Sequence, residues 1–175
     1  MNFMELAAAR YSVRAYQQEQ IEDEKLQKIL EAGRLAPTAA NRQPQRIYVL
    51  KSPEAMEKAR SVTRMMYNAP MALLVCYDSD VSWKATVNTF GEDYEGGEVD
   101  AAIVTTSMMM QATELGVGTL WVRGFSAGKA SEAFQLPEQI HPVCFLLLGY
   151  PAENAPRGSK NHTARKELQE TVTEL

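Results

Sequence analysis

The chain has 175 residues, enough to bury one core and too few to divide comfortably into two, so a single domain over 1–175 is expected. A formal net charge of −4, with 23% charged and 45% hydrophobic residues, excludes a disordered chain and argues against a nucleic-acid partner, which needs a concentrated positive surface. No stretch approaches the roughly 18 uninterrupted apolar residues of a membrane span, and MNFMELAAAR lacks the basic start and apolar core of a signal peptide. Cys76 and Cys144 lie inside apolar runs and read as reduced, structural thiols of a cytoplasmic protein. The two histidines and two cysteines show no metal-ligand spacing.

After a short apolar opening, AAARYSVRAYQQ (7–18) puts Arg10, Ser12 and Arg14 at alternate positions. If extended, the segment points all three to one side, as an anion clamp would. The alternative is two solvated arginines and a serine that caps a turn. EDEKLQKILEAGRLA (22–36) spaces Leu26, Ile29, Leu30 and Gly33 as an amphipathic helix, which Pro37 should stop near Ala36. PTAANRQPQ then presents Thr38, Asn41 and Gln43 in a polar loop, either to a ligand or as a plain connector. RIYVL (46–50) and MALLVCY (71–77) read as buried strands with a helix around 53–64 between them, which points to a sheet covered on both faces.

Residues 78–98 suggest a short helix and then a flexible loop, with Trp83, Phe90 and Tyr94 as a candidate lid or as ordinary packing. VDAAIVTTSMMMQATEL (99–115) is apolar almost all the way round, so it is expected to be buried on every side, with Gly116 as its left-handed cap. GTLWV (118–122) and VCFLLLGY (143–150) are two further strands around a helix near 127–134. The Gly116-Val117-Gly118 run precedes a strand and lacks a third glycine, so it is no dinucleotide fingerprint. WVRGF (121–125) ends a strand whose last amides can donate to a ligand, Gly124 being otherwise a turn residue. The polar tail from 151 cannot fold alone and is either disordered or laid over another surface.

Four stretches in this order, ARYSVRAY, ILEAGRLAPTAANRQPQ, ATELGVGTLWVRGF and LLLGYPAENAPR with its basic tail, resemble the FMN-dependent nitroreductase family over nearly the whole chain. The resemblance implies an α+β fold in three α-β-α layers, with a mostly antiparallel sheet flanked by helices. It also implies an intertwined homodimer with two FMN molecules at the subunit interface and the tail 151–175 extended over the partner. By the same likeness Arg10 and Ser12, with Tyr11 between them, would hold the FMN phosphate, and Arg14 would face the ring near O2 and N1. Pro37, Thr38, Ala39 and Asn41 of the second subunit would cover the other side, the amides of Arg123 and Gly124 would lie near N5 and O4, and Lys160 and Arg165 would join the phosphate. Tyr11, Thr38 and Gln45 depart from the family's commoner residues, and the tail lacks a tight Lys-x-Arg pair.

The activity so implied is ping-pong hydride transfer from NADH or NADPH, through FMN, to a small electron acceptor such as a nitroaromatic or a quinone. No dedicated catalytic side chain is required, because the flavin carries the hydride. The alternatives are a non-catalytic FMN-binding or flavin-sensing dimer, and a flavin-consuming or dehalogenating enzyme of the same fold.

Overall fold

The computed structural model describes residues 1–153, 155–157 and 160–175, with the side chains of Phe90 and Lys160 outside that description. The apolar opening is a helix, α1 (Phe3–Ala9), which the sequence analysis did not anticipate. Its signal is a capping box: Asn2 Oδ1 accepts the Glu5 N–H and Glu5 Oε2 accepts the Asn2 N–H, both at 3.0 Å. Helix α2 (Asp23–Arg34) buries Leu26, Ile29 and Gly33 and ends just short of Pro37. Strand β1 (Gln45–Leu50) follows, then α3 (Pro53–Val62), started by Ser52 as N-cap with proline in the first turn. The third central element is β2 (Met71–Asp78).

Residues 78–98 are more ordered than a flexible loop. Two-residue strands β3 (Lys84–Ala85) and β4 (Tyr94–Glu95) frame a single turn, α4 (Val87–Phe90). Asp93 Oδ1 accepts the Val87 N–H at 2.9 Å and Gly91 turns left-handed, which folds the segment back on itself. Helix α5 (Gly97–Glu114), strand β5 (Gly118–Val122), helix α6 (Ala127–Phe134) and strand β6 (Ile140–Gly149) complete the main chain of elements. Within the tail, α7 (Lys160–Thr163) and α8 (Leu168–Thr171) are single turns, while Pro151 bridges to Tyr16 and the Ala152 N–H donates to the Ala15 carbonyl at 3.0 Å.

The sheet runs β1-β2-β6-β5, every neighbour antiparallel. Along β2, Met71, Leu73 and Val75 enter the core shared with α2 and α5, while Ala72, Leu74 and Cys76 enter the core shared with α3 and the α6 residue Phe134. The two faces of one strand thus feed two cores, giving three α-β-α layers of an α+β fold. That is why the β2 and β6 sequences are continuously apolar instead of alternating.

Gly33 is what lets α2 approach α5, since a Cβ there would stand 2.8 Å from Met108 Cγ. Within the single chain Ala101, Val104, Met108 and Ala112 of α5 face the core, whereas Val99 is 51% and Ile103 38% exposed, so the described residues of one chain leave part of its outer face uncovered. The end of α5 is as expected: Gly116 has φ +74°, its N–H donates to Thr113 O and that of Val117 to Ala112 O, a Schellman turn that aims the chain into β5. Nothing lies within 4 Å of a Cβ at Gly116, so Gly116→Ala is penalised through the backbone alone. It should cost about 1 kcal/mol and lower the thermal midpoint by roughly 2–4 °C, read by circular dichroism.

Candidate functional site

The segment Arg10–Gln17 is extended and runs beside the start of β5. Ser12 forms a parallel bridge with Thr119, and the Val13 N–H donates to the Thr119 carbonyl at 2.9 Å. Tyr11 and Val13 pack with the β-sheet core on the α3 side, and the alternation of an extended segment turns Ser12 and Arg14 away from it. Arg10 is half-buried and, with Thr113, Gly116, Val117 and Thr119, lines a cavity of about 150 Å³ at the C-terminal end of α5. Arg14 is exposed, and its Nη1 reaches only the Ser12 carbonyl, at 3.4 Å. Arg34, Arg46, Arg60 and Arg123 each pair with a carboxylate, whereas among the described residues Arg10 and Arg14 have none.

The loop after α2 is strained. Ala40, Asn41 and Gln43 all adopt left-handed φ of 48°, 53° and 51°, and Ala39–Asn41 form a 3₁₀ turn. Three bonds hold this conformation. Ala39 N–H donates to Asp100 Oδ1 at 2.9 Å, Gln43 N–H to Thr38 Oγ1 at 3.0 Å, and Arg46, itself paired with Asp78 at 2.9 Å, donates to the Gln43 carbonyl at 3.3 Å. Pro37 and Asn41 are exposed. Asp100 is only 3% exposed, and its second oxygen has no hydrogen-bond partner among the described residues. The turn carrying Trp83 and Tyr94, ring centroids 6.1 Å apart, abuts the same loop, since a Cβ at Gly96 would lie 3.7 Å from that of Ala39. Of the three candidate lid aromatics, Phe90 has its side chain outside the described residues.

At the other end of β5 the chain makes a γ-turn, with the Phe125 N–H donating to Arg123 O at 2.9 Å. The Arg123 side chain is engaged with Glu98 in the first turn of α5 at 2.9 Å, and among the described residues the Arg123 and Gly124 N–H groups have no backbone acceptor. The Thr63 hydroxyl donates to the Gly124 carbonyl at 2.8 Å. In the tail, Arg165 Nη1 turns onto the carbonyls of Asn161 and Ala164, and the side chain of Lys160 lies outside the described residues. The tail meets the Arg10 segment through His162, edge-on to Tyr11 at 5.9 Å between ring centroids.

The candidate residues thus fall at two ends of one helix. Arg123 and the loop around Ala39 meet the first turn of α5 through Glu98 and Asp100, while Arg10 shares a cavity wall with Thr113 and Gly116 at its last. From Asp100 to Thr113 is about 20 Å along the axis, at roughly 1.5 Å per residue. Asp100 and Thr63 were missed by sequence reasoning. A lone acid ahead of an apolar run was a usable signal for Asp100, but Thr63 carries no pattern, since its contact with Gly124 spans 61 residues of chain.

The model for the nitroreductase family matches residues 7–150. A nitroreductase family protein from Clostridium difficile 630 superposes with a TM-score of 0.90 at 40% identity, over 99% of this chain and 98% of that one. A Bacillus subtilis protein named FMN reductase [NAD(P)H] is 27% identical over 183 residues, spanning 93% of this chain and 73% of its own. A protein of Exiguobacterium sibiricum 255-15, solved in complex with FMN, has the same fold with a TM-score of 0.83 at 19% identity, over 100% of this chain and 98% of its own. The chain belongs to the nitroreductase family.

Cys76 and Cys144 take no part in the candidate site. Burial pushes both thiols up to about 12, and their side chains enter opposite cores of the sheet. A thiol reacts as thiolate, which at pH 8 is scarce so far below such a pKa. Native protein treated with iodoacetamide at pH 8 should therefore stay unlabelled by mass spectrometry, and both cysteines should label in denaturant. Rapid labelling of either in the folded protein would contradict this account.

Proposed function

We propose that this chain is an FMN-dependent NAD(P)H oxidoreductase that works as a homodimer. FMN, when bound, supplies the redox chemistry, taking a hydride from NADH or NADPH and passing two electrons to a small acceptor such as a nitroaromatic or a quinone. The observation that carries the reading is an extended segment beside β5 that bears Arg10, Ser12 and Arg14 at alternate positions, with no carboxylate answering either guanidinium among the described residues. Such a donor set fits a phosphate and the electron-rich edge of a flavin. Ser12 lies beside Thr119, five residues before Gly124, so the two ends of the donor set are about 17 Å apart along the strand, the scale of an extended mononucleotide. The names of the Bacillus relative and of the FMN-bound Exiguobacterium protein support the same cofactor.

In this reading Arg10 and Ser12 bind the phosphate, with Tyr11 holding the segment against the sheet. Arg14 faces the pyrimidine edge, where a guanidinium stabilises the negative charge that develops on reduction. The outward N–H groups of Arg123 and Gly124 donate to the opposite edge of the ring. Pro37, Thr38, Ala39 and Asn41 of a second subunit close the site, as the family likeness implies. The exposed Val99 and Ile103 supply apolar surface for that subunit to cover. The tail, with Lys160 and Arg165, reaches over the partner toward the phosphate. Protons come from water, and the side chains contribute position and electrostatics.

The deciding experiment is anaerobic titration of FMN-reconstituted protein with NADH and with NADPH, followed by a panel of acceptors. One nicotinamide should bleach the flavin band, a quinone or nitroaromatic should restore it, and light scattering should give the mass of a dimer. Protein that binds no FMN would overturn the reading, and a flavin that neither nicotinamide bleaches would make the chain a binding protein instead. Arg10→Ala should weaken FMN about 10- to 100-fold in a fluorescence titration, the worth of a charge-assisted contact, with the circular dichroism spectrum unchanged.

A further inference from the structure

Thr63 stands apart from every residue the family likeness assigns, yet it is bonded to the strand end on which the proposed function depends. It ends α3 as the C-cap, in extended conformation, with its N–H on Ala59 O at 3.1 Å. Its side chain is buried between two backbone segments and bonds to both. The Met65 N–H donates to Oγ1 at 3.2 Å, and Oγ1 donates to the Gly124 carbonyl at 2.8 Å. A hydroxyl has one proton, so the bond accepted from Met65 leaves that proton free for Gly124.

The consequence follows from peptide planarity. The peptide joining Gly124 to Phe125 is pinned at both polar atoms, its carbonyl on the Thr63 hydroxyl and its N–H on the Arg123 carbonyl. With the Arg123 carbonyl turned toward Phe125, the Gly124 N–H, trans to it across a planar peptide, must point the opposite way. That N–H has no acceptor among the described residues. Met65 reinforces the arrangement from the other side, its sulfur lying 2.6 Å from where a Cβ of Gly124 would be, so the backbone here admits only glycine without moving that side chain.

We infer that Thr63 is a positioning residue for the flavin site, whose hydroxyl locks the Arg123–Phe125 turn so that the Gly124 N–H is a preformed donor to the carbonyl and imine edge of the ring. This rests on the proposed FMN site and adds to it the group that orients one of its donors. A preformed donor costs no reorganisation when the ring binds, and loosening the turn sacrifices that advantage.

The test compares wild type, Thr63→Val and Thr63→Ser as full-length proteins titrated with FMN. Thr63→Val keeps the shape and removes the hydroxyl, and it should weaken FMN about five- to tenfold, the worth of one neutral hydrogen bond, and shift the visible absorption bands of the bound flavin. Thr63→Ser keeps the hydroxyl and should restore both toward wild type. In the wild type the Gly124 amide resonance should move on FMN addition in a nitrogen–proton correlation spectrum, a measurement that stands even if Thr63→Val does not fold. Wild-type affinity and spectrum in Thr63→Val, or a Gly124 resonance unmoved by FMN in the wild type, would overturn the inference while leaving FMN binding itself standing. A wild type that binds no FMN would instead remove the cofactor reading, and this inference with it.

Discussion

The antiparallel pairing of β2 with β6 is the constraint from which the remaining structure follows. From Met71 to Cys76 every β2 residue is buried, and so is every β6 residue from Pro142 to Gly149. Each residue on these strands that faces α2 and α5 has a neighbour that faces α3 and α6, so neither face can be left to water. Burying a Leu or Phe side chain contributes about 1.5–3 kcal/mol, and the two strands together set enough such side chains on both faces to require two helical layers. Once the centre of the sheet is committed to packing, polar chemistry is confined to the edges and the strand ends. That is where Ser12 lies beside Thr119, and where Arg123 and Gly124 leave the ladder.

Helix α5 converts that packing into placement. Its inner face is seated on the sheet through Ala101, Val104 and Met108, and α2 is brought against it by the absence of a side chain at Gly33. Fixed in this way, the helix holds polar contacts at both ends. Asp100 restrains the strained loop through Ala39, Glu98 restrains the Arg123 side chain, and the Schellman turn at Gly116 delivers the chain into β5 beside Arg10. The same helix sets the loop and Arg123 at one end and Arg10 at the other, and leaves Val99 and Ile103 on its outer face exposed in the single chain.

Arg34, Arg46, Arg60 and Arg123 are paired with carboxylates, while Arg10 and Arg14, like Arg42 and Arg64, have no acidic partner among the described residues. Arg46 spends its guanidinium on Asp78 and on the carbonyls of Gln43 and Gln45, which braces the left-handed loop. Arg123 spends its own on Glu98. The exposed Arg123–Glu98 pair contributes little to stability, about 0–1 kcal/mol, so its importance lies in geometry. Arg10 and Arg14 have no such employment, and the strain at Ala40, Asn41 and Gln43 is equally unexplained by packing, since these side chains are exposed.

Much of this was legible in the residues themselves. The period of Leu26, Ile29 and Gly33, the Pro37 stop, the apolar runs of β2 and β6 and the glycine after α5 determine local structure through backbone sterics and burial, which act over a few residues. The alternation of Arg10, Ser12 and Arg14 was equally visible, but whether it meant solvated surface or a donor array depended on the extended backbone that Thr119 imposes from a strand more than a hundred residues later. The capping box of α1 was present and went unread, and the two short strands around α4 are too brief to announce themselves. The uncovered face of α5, the buried acid under the loop and the bond from Thr63 to Gly124 were decided only by the tertiary structure. Each is a relation between segments distant in sequence, and a hydrogen bond or an exposed face has no local pattern when its partner, or the lack of one, lies elsewhere in the chain.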